Sequence, residues 1–148
     1  MTLPKTTDFI VIGGGVMGAS TAYHLALRGH TNVVLLEKED FFGLGATGRC
    51  AGGVRYQFGT EINVRLSIES LPMLEGFEAE TGQAIDYRKC GYLFLLTTNQ
   101  DLATFKRNVA MQNRLGVPTQ WLEPAEIRQR LPMMRLEDVL GGSYNPQD

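Results

Sequence analysis

Asp8 to Glu39 reads DFIVIGGGVMGASTAYHLALRGHTNVVLLEKE, and the order of apolar runs and glycines in it decides the fold. Phe9–Ile12 is a short apolar run entering glycines, as expected of a parallel strand covered on both faces and therefore without polar alternation. No proline interrupts Val16 to Arg28, and Gly29 stands where a helix-terminating glycine belongs. Val33–Leu36 repeats the apolar run. Strand, helix and strand within about thirty residues predict a βαβ unit with a right-handed crossover.

Between the first strand and the helix lies Gly13-x-Gly15-x-x-Gly18. Gly13 permits the tight turn, Gly15 lets the backbone approach a pyrophosphate, and Gly18 lets the helix pack on the strand. The first helical N–H groups, at Val16 and Met17, then face the phosphates at the positive end of the helix dipole. Glu37 closes the second strand about twenty residues on, where a carboxylate accepts hydrogen bonds from ribose hydroxyls and repels a 2′-phosphate. The pattern predicts a dinucleotide site that disfavours NADP. The glycines alone do not separate a nicotinamide from a flavin.

The segment after Glu37 separates them. KEDFFGLGATGRCAGGVRYQFG brings Gly43, Gly45, Gly48, Gly52 and Gly53 at once, where a nicotinamide enzyme of this class continues into further βα units. Long irregular segments are usually functional. This one lets the backbone wrap the far side of a long cofactor, with Thr47 offering a hydroxyl to phosphate or ribityl oxygens.

Thr60 is the expected N-cap of a helical pattern that Pro72 divides into two helices. CGYLFLLTT predicts a strong strand with a shorter one before it near Tyr87, and Asp101–Leu115 a helix ending at Gly116-Val117-Pro118. TQWLE reads as a short strand, PAEIRQRL as a helix with Pro124 near its start, and DVLGGSYNP as a last strand. A composition shift near residue 85 places a nucleotide-binding part at 1–85 and the start of a second domain at 86–148.

The formal net charge of −2, dispersed along 148 residues, offers no basic stripe to nucleic acid. Cys50 and Cys90 sit in no metal-ligand or disulfide spacing, so no metal is expected and reduced thiols in the cytoplasm are the simpler reading. Cys50 is expected to be a buried, unreactive thiol. No signal peptide or bilayer-length apolar run is evident. His24 and His30 read as structural or surface residues.

The segments VIGGGVMGASTAYHLALRG…VVLLEKE, GATGRCAGGVRYQF and GYLFLLTT…FKRNVAMQNRLGVPTQWLEPAEI resemble the N-terminal part of the flavin-dependent D-amino-acid oxidase superfamily. Sarcosine oxidase beta subunits, glycine oxidases and beta subunits of dye-linked L-proline dehydrogenases are the members it is most similar to. The resemblance implies an α/β fold: a Rossmann-type FAD-binding βαβ unit followed by the beginning of an α+β substrate domain. It places Gly13, Gly15, Val16, Met17, Gly18, Glu37 and Thr47 on FAD, Lys38 near the adenosine, and Arg49, Cys50, Ala51, Gly52 and Gly53 close to the flavin. It makes Arg55 the candidate contact for a substrate carboxylate, which a planar guanidinium suits.

The implied activity is oxidation of the C–N bond of a small amino acid such as glycine, sarcosine or proline, by hydride transfer to the flavin. Other subunits of a hetero-oligomer are the implied protein partners. The chain is well under half of a usual family length and Tyr56 stands where several relatives have glutamine. It is therefore expected to be a fragment, inactive alone, marginally folded and weak in FAD retention. An NAD-linked dehydrogenase and a non-catalytic dinucleotide-binding fragment are the rival readings.

Overall fold

The computed structural model describes residues 4–148, which form two compact units, the first ending at Gly53 and the second running Val54–Asp148. The division falls earlier than the composition shift near residue 85. Val54, Tyr56 and Phe58 pack with α3 (Glu61–Glu75) and with Val117, which ties the segment after Gly53 to the second unit.

The first unit is a βαβ crossover. β1 (Phe9–Ile12) and β2 (Val33–Leu36) run parallel, with Phe9 opposite Val33 and Ile12 opposite Leu36. The Gly13 N–H extends the ladder to the Leu36 carbonyl at 2.7 Å. α1 (Val16–Leu27) connects the strands and ends at Gly29 with φ +86°. The Gly29 N–H reaches the Ala26 carbonyl at 2.9 Å and the His30 N–H the Leu25 carbonyl at 3.0 Å, the paired bonds of a Schellman cap. A single turn, α2 (Ala46–Arg49), follows. No side chain of α1 is buried, and Ile10, Ile12, Val16 and Met17 are exposed.

The second unit holds both apolar cores. α3 is followed by α4 (Phe77–Thr81), β3 (Tyr92–Leu96), α5 (Asn99–Arg114), β4 (Gln120–Leu122), α6 (Pro124–Arg130) and β5 (Gly141–Asn145). The antiparallel sheet has the order β3-β5-β4, with Leu93 opposite Tyr144 and Trp121 opposite Ser143. The period of two along β3 divides its side chains. Leu93 and Leu95 join Leu122, Ile127, Leu136 and Val139, while Phe94 meets Phe105 of α5 at 5.4 Å between ring centroids. Tyr56, Val64, Leu71 and Val117 form a separate core between α3 and the end of α5.

Two expectations are corrected. Pro72 lies inside an unbroken α3, and the break comes at Gly76. The ring's fixed φ is compatible with a helix, so the cost is confined to the missing N–H and the crowded carbonyl four residues earlier. Buried Val64 and Leu71 hold the helix through it. Near Tyr87 there is no strand. Asp86 takes φ +50° and pairs with Arg88 at 2.8 Å, which turns the chain out of an extended ladder.

Candidate functional site

In the first unit, the β1–α1 turn, the end of β2 and the second glycine segment converge. Gly14, which the Gly13-x-Gly15 reading passes over, is the buried residue of the turn. Its N–H donates to Glu37 Oε2 at 2.6 Å, while Glu37 Oε1 accepts from the N–H groups of Lys38 and Glu39 at 2.8 and 3.0 Å. These bonds, the Glu39 N–H foremost and the Gly14 N–H next, hold the Glu37 carboxyl below its ordinary pKa. The carboxylate is therefore anionic and fixed in orientation at the strand end. It still has acceptor capacity beyond the three bonds it takes.

Thr47 Oγ1 accepts the Val16 N–H at 2.9 Å, and the Gly43 N–H reaches the Gly14 carbonyl at 3.0 Å. The second glycine segment thus touches the first residue of α1 and, at Gly14, the turn before it. α1 has no side-chain cap of its own at Gly15. With Val16 satisfied by Thr47, the Met17 and Gly18 N–H groups of the first turn have no acceptor among the described residues.

At Gly18 and Gly48 the backbone itself leaves no room for a side chain, and at Gly14 and Gly15 a side chain of the second glycine segment stands close. A Cβ on Gly18 would collide with the Gly13 carbonyl oxygen, and one on Gly14 with the Phe42 ring. A Cβ on Gly48 would stand 2.5 Å from the Gly43 oxygen, and one on Gly15 3.0 Å from Thr47 Oγ1. Phe42 is a site residue that the sequence reading missed; the exposed aromatic pair Phe41-Phe42 before Gly43 was the available signal. Leu35, Glu37, Glu39, Asp40, Phe41 and Phe42 line an open recess of about 370 Å³.

The other expected residues lie outward. Lys38 is 87% exposed and pairs with Glu39 at 3.3 Å. Arg49, Ala51, Gly52 and Gly53 form an exposed strip, with Gly52 at φ +74°. Cys50 is exposed, contrary to the buried thiol expected, because the single turn of α2 has no core beneath it; its Sγ donates to the Thr47 carbonyl at 3.1 Å.

In the second unit, Arg55 belongs to none of the ion pairs among the described residues. Its guanidinium carbon lies 5.0, 5.3 and 5.6 Å from the ring centroids of Phe58, Phe94 and Tyr92, and its buried Nε has no hydrogen-bond partner. Neighbouring Tyr56 and Gln57 are locked in place. The Tyr56 N–H donates to Asp148 Oδ1 at 2.6 Å, Gln57 Nε2 to Asp148 Oδ2 and the Tyr92 carbonyl at 2.9 Å each, and Ser143 Oγ to Gln57 Oε1. Burial pushes the Asp148 carboxyl above its ordinary pKa, against the downward pull of these donors. Arg55 borders a cavity of about 180 Å³ lined also by Gln57, Phe58, Phe94, Phe105, Asn108 and Gln112.

Among the described residues, no helix is long and apolar enough to cross a membrane. The family model for FAD dependent oxidoreductases matches residues 8–148. Dimethylglycine dehydrogenase, mitochondrial, of Rattus norvegicus is 36% identical over 142 residues, covering 95% of this chain and 16% of that protein. Among solved structures, L-proline dehydrogenase from P. horikoshii superposes with a TM-score of 0.85 at 40% identity, covering 99% of this chain and 38% of that one. Glycine oxidase from Geobacillus kaustophilus gives 0.79 at 30% identity, with 96% and 40% covered. The chain thus spans less than half the length of each of these relatives. With a family match from Asp8 to the last residue, the chain belongs to the FAD-dependent oxidoreductase family, whose cofactor is FAD.

Proposed function

We propose that this chain supplies the FAD cradle and a substrate-carboxylate contact of an enzyme that oxidises the C–N bond of a small amino acid. The chemistry FAD supplies there is acceptance of a hydride from the carbon beside the amine nitrogen. The observation that carries the reading is the pair of contacts, Thr47 to the first residue of α1 and Gly43 to the turn before it, which set the second glycine segment beside the phosphate-binding turn.

The residues present fit FAD. Gly13 and Gly15 leave backbone open to a pyrophosphate, the Met17 and Gly18 N–H groups await an acceptor, and Thr47 keeps its hydroxyl proton to donate. Glu37, held anionic, is placed to accept from ribose hydroxyls, with the Phe41–Phe42 recess beside it for an apolar ring. Lys38 flanks that half. Arg49, Cys50, Ala51, Gly52 and Gly53 are assigned to the flavin half. Gly52 at positive φ and Gly53 without a side chain let the strip bend closely around a ligand.

Arg55 orients the substrate. Arg55 is walled by three aromatic rings and makes no ion pair within 4.0 Å, the Asp148 charge acting on it only from farther away, so a substrate carboxylate can take two parallel hydrogen bonds from it. No general base is assigned, since an amine bound neutral loses its proton after the hydride has left. Glycine, sarcosine, dimethylglycine and proline are the substrate class, in keeping with the names of the relatives and with the resemblance read from the sequence. Turnover is assigned to this chain together with further polypeptide. The cytoplasm is proposed as its compartment, in keeping with two exposed free cysteines.

Titration of the purified chain with FAD and with NAD, monitored by flavin fluorescence and difference absorbance, tests the reading. Saturable binding of FAD and none of NAD is expected. Preference for NAD, or no saturable FAD binding at any concentration, would overturn it.

A further inference from the structure

The cavity beside Arg55 contains a second group to which the proposed function gives no task. Gln112, on the inward side of α5, is 2% exposed. Its Nε2 donates to the Phe58 carbonyl at 2.9 Å, which fixes the amide orientation, because the reverse orientation would set oxygen against oxygen. Oε1 is then left as the free end, buried and without a partner. Buried acceptors in native proteins are nearly always satisfied, so an orphan calls for a ligand or an ordered water.

Arg55 Nε is a second orphan, and both residues line the same 180 Å³ cavity. Phe58, Phe94 and Phe105 form its apolar walls, Asn108 adds an amide, and Arg55 is the only charged residue in the lining. One cation and one neutral amide residue lining the same cavity are complementary to a small molecule carrying an anionic group and an N–H donor. A plain carboxylic acid satisfies the first and leaves the second unpaired. A small amino acid satisfies both, and the volume excludes a large side chain.

We propose that Gln112 is a specificity-determining residue that accepts a hydrogen bond from the amine of the amino acid whose carboxylate Arg55 holds. This rests on the assignment of Arg55 to the substrate carboxylate. It gives discrimination of amino acids from other carboxylates to α5, through a residue far from Arg55 in sequence.

Calorimetric titration of the intact chain with two near-isosteric ligands tests it. These are 2-aminoisobutyrate, which has no hydrogen on the reacting carbon, and pivalate, which has a methyl in place of the amino group. The amino acid is expected to bind about tenfold tighter than pivalate in the unaltered protein, the upper end of the net worth of one hydrogen bond between neutral groups. Gln112→Leu should bring the two affinities together without weakening pivalate, with the thermal midpoint recorded as a check on folding. Should Gln112→Leu fail to fold, the ratio in the unaltered protein decides. Equal affinities there, as a bridging water would give, overturn the proposal. Arg55→Met distinguishes the two failures. Equal affinities that both depend on Arg55 overturn the role of Gln112 alone, whereas pivalate binding that survives Arg55→Met, or no binding of either ligand, overturns the Arg55 assignment as well.

Discussion

At Gly18 a single methyl group decides whether α1 can start where it does, since a Cβ there would occupy the place of the Gly13 carbonyl oxygen. Gly18→Ala should cost about 1–3 kcal/mol, the range of overpacked substitutions, and abolish FAD binding; chemical denaturation and flavin titration read the two effects. Thr47→Val removes the acceptor of the Val16 N–H and should cost about 1 kcal/mol and weaken FAD, while Thr47→Ser retains both. Glu37 gives a pH signature. Its folded pKa is lowered, so its contribution to stability is full above the unfolded glutamate value and is lost as pH falls through the lowered folded value. Thermal midpoints of the unaltered protein and Glu37→Gln should therefore converge as the pH is taken below the ordinary carboxylate range. The convergence of Gly13, Gly15 and Gly18 at one turn, with Glu37 at the strand end beside it, was legible from their spacing. Gly14 and Phe42 were not, because what singles them out is contact between distant segments.

Among the elements, those with local punctuation were read nearly to the residue. β1 and β2 stand where the apolar runs stand, and α1 ends in the Schellman cap that Gly29 announces; α5 begins two residues before the expected Asp101, at a cap by Thr98 that the reading did not use. Gly29→Ala, at φ +86°, should cost roughly 1–2 kcal/mol, measured as a lowered midpoint in denaturant, with the βαβ register intact. Where packing overrides the local signal the reading failed. Pro72 announces a break that buried Val64 and Leu71 do not allow, and residues near Tyr87 look extended but have no neighbouring strand to pair with. Arg55 was singled out by the family pattern, whereas Gln112, which lines the same cavity, carried no signal in the sequence.

Over the whole molecule, burial is uneven. Every buried apolar side chain of the described residues belongs to the second unit, whereas the first exposes Ile10, Ile12, Val16 and Met17 around a two-stranded sheet. A sheet of two strands is marginal by itself, so the first unit has the most to gain from a bound ligand. Amide hydrogen exchange of the intact chain, read by mass spectrometry with and without saturating FAD, addresses the cradle directly. Without FAD, residues 8–53 should exchange faster than the sheet of the second unit. With FAD, exchange should slow at residues 13–18 and 43–53 together. Saturation by FAD with either segment left unprotected, or equal protection by NAD, would contradict the shared cradle of α1 and the second glycine segment.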